Sequence, residues 1–275
     1  MTAGRARRGA VLLVAASAGL ALLPGCGTET VEAGSTTPAE TDTFSSPSQA
    51  LGDGSVTTYV TRNADGEPTE VGVRLTRTAL DGLPPEGVTL MIDMPDQAAD
   101  TAFDHVMLNW NPEGHDPFEL FGVPHFDFHF DMVDMATIES ITPNDPDYAA
   151  KAENLPDARY VPQDYVVPPG LPIAAQAVPN MGVHLVDSTD TSLVPGQYEF
   201  TEIVINGVWD GRYTFVEPMI TRDWLLTGPS LEQPLKLPEA YQETAYYPTS
   251  YAVHVDDQTE DYVVSLGGLT ARTAS

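Results

Sequence analysis

Two histidines and an aspartate alternate with phenylalanines in the segment Pro124–Phe130 (PHFDFHF). Side chains along a β-strand point alternately to the two faces of the sheet, so His125, Asp127 and His129 would share one face and the phenylalanines the other. Neutral imidazole nitrogens and carboxylate oxygens are common ligands of zinc and first-row transition metals. The segment therefore predicts a divalent metal site on one face of a strand whose opposite face packs in a core.

Further ligands are expected from distant parts of the chain. His184 lies in a short strand-like segment (GVHLV) and should point away from Val183 and Leu185. Glu217 comes at the end of the strand-like segment TFVE, and His115 lies in a Pro- and Gly-containing turn, where it is expected to support a ligand. We therefore predict a site for zinc, manganese or iron. Its expected ligands are His125, Asp127, His129, His184 and Glu217, with His115 as the supporting residue.

Other interpretations of these polar residues remain open. They could form a hydrogen-bonded stripe on a solvent-facing strand, or a metal-free catalytic or ligand-binding pair. Among metal sites, His125-x-Asp127 with the distant His184 resembles the two-histidine, one-carboxylate site of non-haem iron enzymes. His125-x3-His129 with Glu217 and His184 resembles the three-histidine, one-glutamate set of cupins.

Short segments of alternating or apolar residues predict the elements that would position the site. Three pairs of such segments flank turns rich in Asn, Asp and Gly, which is typical of β-hairpins. The 24 prolines and 22 glycines exclude long helices, and helical character is confined to residues 134–154, interrupted by Pro143 and Pro146, and to Ile220–Leu226. We expect one mainly-β domain over residues 51–275, a sandwich or a barrel-like variant with short helices. The predicted hairpin strands are Val56–Arg62 with Val71–Thr76, Tyr198–Val208 with Tyr213–Val216, and Tyr251–Val255 with Tyr262–Leu266.

The only cysteine, Cys26, follows the features of a secretory signal. Arginines near the N-terminus precede the apolar run Ala10–Leu23, which is shorter than the roughly 20 residues of a membrane-spanning helix. Leu23–Cys26 (LPGC) resembles the lipobox of bacterial lipoproteins, which implies cleavage before Cys26 and lipidation of its sulfur. Residues 1–25 are therefore predicted to be a signal peptide. Residues 26–50, rich in Ser, Thr, Pro and Glu, are predicted to be the lipidated cysteine and a flexible tether.

The charge of the chain restricts its partners. It has 275 residues with 12 Lys and Arg against 40 Asp and Glu, a net charge of −28. Such a chain repels the phosphate backbones of nucleic acids, which excludes nucleic-acid binding. It also repels anionic lipid surfaces. Contact with the membrane is expected through the lipid on Cys26. The protein should lie in the cell envelope, on the outer face of the cytoplasmic membrane, or be secreted. Self-association, the ligand and the export route (general secretory or twin-arginine, given Arg7 and Arg8) stay open.

Several motifs, taken together, carry a family resemblance. They lie between about residues 54 and 228 and are Phe103–Val106, Asn109–His115, Pro124–Phe130, Met181–Asp187, Trp209–Arg212 and Phe215–Met219. In combination they resemble an uncharacterised family of exported bacterial proteins with a PHFDFHFY-type signature. This chain has Asp131 where that family has tyrosine. The resemblance implies a mainly-β fold and export, and it supplies no reaction.

Two classes of function follow. The first is metal-dependent binding or catalysis by a lipid-anchored extracytoplasmic protein. The second is a non-catalytic envelope protein that binds a ligand or assembles with itself without metal. The sequence has no nucleophile elbow, phosphate-binding loop or HExxH motif, so it does not decide whether the protein is an enzyme.

Overall fold

Two antiparallel β-sheets packed face to face form the described part of the chain, residues 41–275, in the computed structural model. The prediction of a mainly-β sandwich with short helices is thereby confirmed. The predicted signal peptide, residues 1–25, and the lipidation site Cys26 lie outside the described residues. Within residues 41–275, no helix has the length and apolar character needed to cross a membrane.

The strands are numbered in chain order. They are β1 (Asp42–Ser45), β2 (Gln49–Leu51), β3 (Gly54–Arg62), β4 (Pro68–Leu75), β5 (Val88–Asp93), β6 (His105–Asn111), β7 (His125–Asp131), β8 (Tyr165–Val166), β9 (Ala177–Val178), β10 (Gly182–Asp187), β11 (Glu202–Trp209), β12 (Arg212–Thr221), β13 (Ser230–Pro234), β14 (Ala245–Tyr247), β15 (Ser250–Val255), β16 (Tyr262–Gly267) and β17 (Thr270–Arg272).

Long-range pairing orders these strands into two large sheets. Sheet A has the order β1-β3-β4-β16-β15-β13, with β2 also paired to β3. Sheet B has the order β5-β6-β7-β12-β11-β10-β8, with β9 also paired to β10. A small separate sheet pairs β14 with β17. The strand that carries the PHFDFHF segment, β7, therefore lies in the interior of sheet B, between β6 and β12.

The predicted hairpins are present. Strands β3 and β4, β11 and β12, and β15 and β16 pair antiparallel. At the turn between β11 and β12, Asp210 and Gly211 have φ values of 45° and 76°. Positive φ at both central residues is what a type I′ hairpin turn requires, and an Asp-Gly pair supplies it.

The helices are short. They are α1 (Phe118–Phe121), α2 (Met135–Ser140), α3 (Tyr148–Glu153), α4 (Ile173–Gln176) and α5 (Arg222–Leu225), with 3₁₀ turns at Arg77–Leu80, Asp96–Ala98 and Ala158–Tyr160. The helical segment predicted at 134–154 is present as α2 and α3. The prediction at Ile220–Leu226 was too long, because the first two of those residues continue β12. Thr221 ends that strand and caps α5 by accepting a hydrogen bond from the backbone of Trp224.

The folded part begins earlier than the composition suggests. Strand β1 lies within residues 26–50, the segment predicted to be a tether, and β2 lies at the end of that segment. Both strands pair with β3. The side chain of Phe44 packs against the hydrophobic core, and Thr43 and Thr61 share a hydrogen bond of 3.1 Å across the strands. A polar composition is compatible with β1 because an edge strand has backbone pairing on one side and solvent on the other.

The main core lies between the two sheets. Sheet A contributes valines and leucines of β3, β4 and β16, and sheet B contributes Val106, Leu108 and the three phenylalanines of β7. Phe126, Phe128 and Phe130 are fully buried members of this core, so the predicted facing of this strand is confirmed. The opposite face of sheet B carries the polar side chains of β7.

Candidate metal centre

Strand β7 is buried on both faces. On the face away from the main core, His125, Asp127, His129 and Asp131 are at most 3% exposed. Aromatic side chains from covering segments contribute to this burial, with the ring of Phe200 centred 5.2 Å from that of His125. The sequence left open a hydrogen-bonded stripe on a solvent-facing strand. The burial of these residues excludes that alternative.

His129, His184 and Glu217 form one cluster, here called the Glu217 group. Each of the three offers a ligand atom, and these atoms all lie within 4.8 Å of one another. Nε2 of His129 is 3.3 Å from Oε1 of Glu217, and Nε2 of His184 is 3.5 Å from Oε2. The side chains of His129 and Glu217 are almost fully buried, whereas that of His184 is 25% exposed.

The pairing of β7 with β12 places the first two members. Phe215 pairs with Asp131, and Met219 pairs with Asp127, so Glu217 comes opposite His129 between these two pairs. Glu217 therefore lies inside β12, which continues through Pro218 to Thr221. The prediction that Glu217 ends a strand was wrong, because β12 still pairs with β7 beyond Pro218, at Met219, Ile220 and Thr221.

His184 reaches the group from two strands away. It pairs with Gly207 of β11, which in turn pairs with Phe215 of β12. Because Gly207 has no side chain, the ring of Phe215 lies over it, and a Cβ built there would be 2.0 Å from Cε1 of the ring. The ring centre is 4.8 Å from that of His129 and 5.2 Å from that of His184. One glycine thus leaves room for the aromatic ring that packs against both histidines.

The Glu217 group contains buried polar atoms without hydrogen-bond partners. These atoms are both ring nitrogens of His129 and Oε2 of Glu217. Burial raises the pKa of Glu217 well above its usual range, and the charges of Asp127 and Asp131 raise it further. Burial also lowers the pKa of His129 and brings that of His184 down to about 3. Neutral imidazoles are the forms that bind metal, and an arriving cation would displace the carboxyl proton.

His115, His125 and Asp127 form a second cluster, here called the Asp127 group. Nε2 of His125 is 3.1 Å from Oδ1 of Asp127, and Nε2 of His115 is 3.4 Å from Oδ2. The side-chain amide of Asn111 donates to Oδ2 of Asp127 at 2.6 Å. Burial works to raise the pKa of Asp127, but its contacts with His115 and His125 outweigh burial and hold that pKa well below its usual range.

His115 is positioned by a tight turn between β6 and β7. The preceding Gly114 has φ of +72°, and a Cβ there would lie 2.1 Å from the carbonyl oxygen of Phe121, so only glycine fits. The His115 side chain is 40% exposed. Burial tends to lower its pKa, yet the contact with Asp127 outweighs this and raises the pKa above its usual value.

The sequence-based set is thus brought together, but as two groups and not as one. His125 and Asp127 lie with His115, whereas His129, His184 and Glu217 lie apart from them. His115, expected to support a ligand, contacts Asp127 in the same way as His125 does. The iron-enzyme pattern and the cupin-like pattern each combine residues of both groups, so neither pattern describes the arrangement. Metal binding itself stays a prediction.

The sequence analysis missed a third buried contact. His105 of β6 pairs with Asp131 of β7, and its Nε2 lies 3.2 Å from Oδ2 of that carboxylate. Its Nδ1 is 2.9 Å from Oδ1 of Asp104, whose side chain is 53% exposed. The alternation of β7 continues to Asp131, so this residue could have been included from the sequence. Its partner required knowledge of the register between β6 and β7.

Comparison with known proteins gives one partial match. A family model described as TTHB210-like, hypothetical protein, matches residues 63–110. This range includes β4, β5 and most of β6, and it ends before β7. No curated protein and no solved structure matches the chain. Similarity to an uncharacterised family is therefore supported over these residues, whereas the PHFDFHFY-type signature and export stay predictions.

Proposed function

We propose that this chain is a divalent-metal-binding protein of the bacterial cell envelope and that His129, His184 and Glu217 hold the ion. The observation that carries the proposal is the convergence of buried nitrogen and oxygen atoms that lack hydrogen-bond partners. Leaving such atoms unsatisfied costs about 1–3 kcal/mol each. A cation between them would take one ligand atom from each of the three side chains at once.

The donor set fits zinc, manganese or iron(II). Two imidazoles and one carboxylate are the protein ligands of several zinc enzymes, in which a fourth position takes water or substrate. Manganese and iron(II) accept the same donors. A bound ion with a free position would polarise water or a carbonyl oxygen. Solvent reaches the group beside His184, because that side chain is 25% exposed while the other two are almost fully buried.

Location in the envelope rests on the N-terminal sequence. The lipobox-like segment ending at Cys26 supports attachment by lipid to the outer face of the cytoplasmic membrane. A net charge of −28 gives anionic lipid headgroups no electrostatic reason to hold the domain directly. We therefore place the metal site in a domain joined to the membrane by the lipidated cysteine and the residues that follow it.

Elemental analysis tests the proposal. The full-length protein without a histidine tag should carry zinc, manganese or iron when purified, and the chelator-treated protein should bind one of them with a saturable heat. Glu217→Gln and His184→Ala should each abolish binding at this group. His254→Ala is the matched control, because His254 lies on β15 and belongs to neither group. If folded wild-type protein bound none of the three metals saturably, the proposal would be refuted.

A further inference from the structure

The Asp127 group has its own unsatisfied buried atom. Oδ1 of Asp127 has no hydrogen-bond partner, and the side chain is only 5% exposed. The neighbouring Oδ2 is already occupied by the amide of Asn111 at 2.6 Å. The remaining oxygen, Oδ1, lies 3.1 Å from Nε2 of His125, whereas Nε2 of His115 is 3.4 Å from Oδ2.

Backbone carbonyls determine which nitrogen of each histidine carries the hydrogen. Nδ1 of His125 is 2.7 Å from the carbonyl oxygen of Val123, and Nδ1 of His115 is 2.8 Å from that of Asp116. A carbonyl oxygen can only accept a hydrogen bond, so both Nδ1 atoms are donors. In the neutral rings, both Nε2 atoms then present lone pairs toward the Asp127 carboxylate.

With both rings neutral, the two Nε2 atoms and the Asp127 carboxylate are acceptors that face and repel one another. The amide of Asn111, 3.4 Å from Nε2 of His125, compensates only part of this arrangement. A cation among the three side chains would remove the repulsion. Donation from Nδ1 to a backbone carbonyl is also the usual way in which a metal-binding histidine is oriented.

We propose that His115, His125 and Asp127 bind a second divalent ion, separate from the ion at the Glu217 group. The two groups share no residue. Asp127 and His129 are two positions apart on β7, which corresponds to about 6.5 Å along a strand. No carboxylate belongs to both groups, so no side chain in them would bridge two ions as in a two-metal site.

The second ion is the more exchangeable of the two. One of its ligands, His115, belongs to the turn between β6 and β7 and is 40% exposed. In each group the other two ligands are almost fully buried, and the third ligand of the Glu217 group, His184, is only 25% exposed. Chelator should therefore remove the ion at the Asp127 group first.

Metal stoichiometry tests the inference with inorganic zinc as the probe. Full-length protein in detergent is stripped with chelator, equilibrated with zinc, freed of unbound metal and analysed for zinc per chain. Wild type and His254→Ala should bind two equivalents. His115→Ala, Asp127→Asn and Glu217→Gln should each bind one, and the double variant His115→Ala/Glu217→Gln none. His115→Ala removes a half-exposed side chain of a turn, so it should fold even if Asp127→Asn does not.

The outcomes separate this inference from the proposed function. One equivalent in wild type, lost in Glu217→Gln and kept in His115→Ala, would refute the second site and leave the first. One equivalent lost in His115→Ala and kept in Glu217→Gln would support the Asp127 group and refute the Glu217 group. One equivalent lost in either variant would mean a single shared ion and would overturn the claim of two sites.

Discussion

Replacing Gly207 with alanine should disturb the Glu217 group without changing a candidate ligand. The added Cβ would lie 2.0–2.3 Å from three carbons of the Phe215 ring, whereas carbon atoms in contact are about 3.5–4.0 Å apart. Phe215 has no solvent exposure, and its ring packs against His129 and His184. The ring can therefore move only if the two imidazoles move with it.

The expected size of the effect follows from two opposing contributions. Overpacking a buried site costs about 1–3 kcal/mol. Alanine also restricts the unfolded chain, which stabilises the folded state by about 0.4–1 kcal/mol where the backbone conformation is ordinary, and Gly207 is not among the glycines with positive φ. We expect a net loss of about 1–2 kcal/mol. Displaced imidazoles should weaken metal affinity by about 10–100-fold, as is typical when residues that orient ligands are changed.

Urea unfolding of metal-free protein and calorimetric titration with zinc measure the two effects. The double variant Gly207→Ala/Phe215→Leu is the control, because a smaller side chain at position 215 makes room for the new methyl group. It should be more stable than the sum of the single variants predicts, by about 1 kcal/mol for residues in direct contact. Wild-type stability and wild-type zinc affinity in Gly207→Ala would refute this account of how the group is positioned.

Three further predictions concern the core, the pH dependence and the anchor. Phe128→Ala should cost about 3–5 kcal/mol in urea unfolding, because the ring is fully buried between the sheets; a near-neutral effect would contradict that packing. The contribution of His184 to the stability of metal-free protein should be lost as the pH falls from about 6.5 toward 3, because the unfolded chain binds a proton on this histidine at about 6.5, whereas burial holds its pKa in the folded protein at about 3. His184→Gln should reduce this loss in urea titrations across that range, and an unchanged slope would disprove the assignment. Cys26→Ser should move the full-length protein from the detergent phase to the aqueous phase in detergent partitioning, and equal partitioning of both proteins would exclude lipidation at this cysteine.

The facing of β7 could be predicted from the sequence because alternation is a local property. Phenylalanines at every second position define an apolar face, and only one arrangement puts that face in a core. The hairpins were similarly accessible, since Asp210-Gly211 marks a turn type that needs positive φ. Strand ends were less certain, as the continuation of β12 through Pro218 shows.

The division into two groups could not be predicted from local pattern. Residues on one strand face look like a single site in the sequence, but each has different neighbours on the adjacent strands. Asp127 pairs with Asn109 of β6 and Met219 of β12, whereas His129 lies next to Glu217. The route from His184 over Gly207 depends on the order of β10, β11 and β12 in sheet B. Such pairing is determined by the whole fold.

The buried polar residues of β7 also indicate why a cation is the ligand that we propose. Every titratable residue of this strand is at most 3% exposed, and burying charged pairs in place of apolar residues is often neutral or unfavourable for stability. Each buried carboxylate is nevertheless placed against imidazole: Asp127, Asp131 and Glu217 all have a histidine nitrogen within 3.1–3.3 Å. Two of the three also have a second histidine at 3.4–3.5 Å, which a simple ion pair does not require. An ion bound only by the folded state would add folding free energy of about 4 kcal/mol at a thousandfold excess over its dissociation constant. That gain lies in the lower part of the roughly 3–9 kcal/mol that the three unsatisfied atoms of the Glu217 group cost at about 1–3 kcal/mol each.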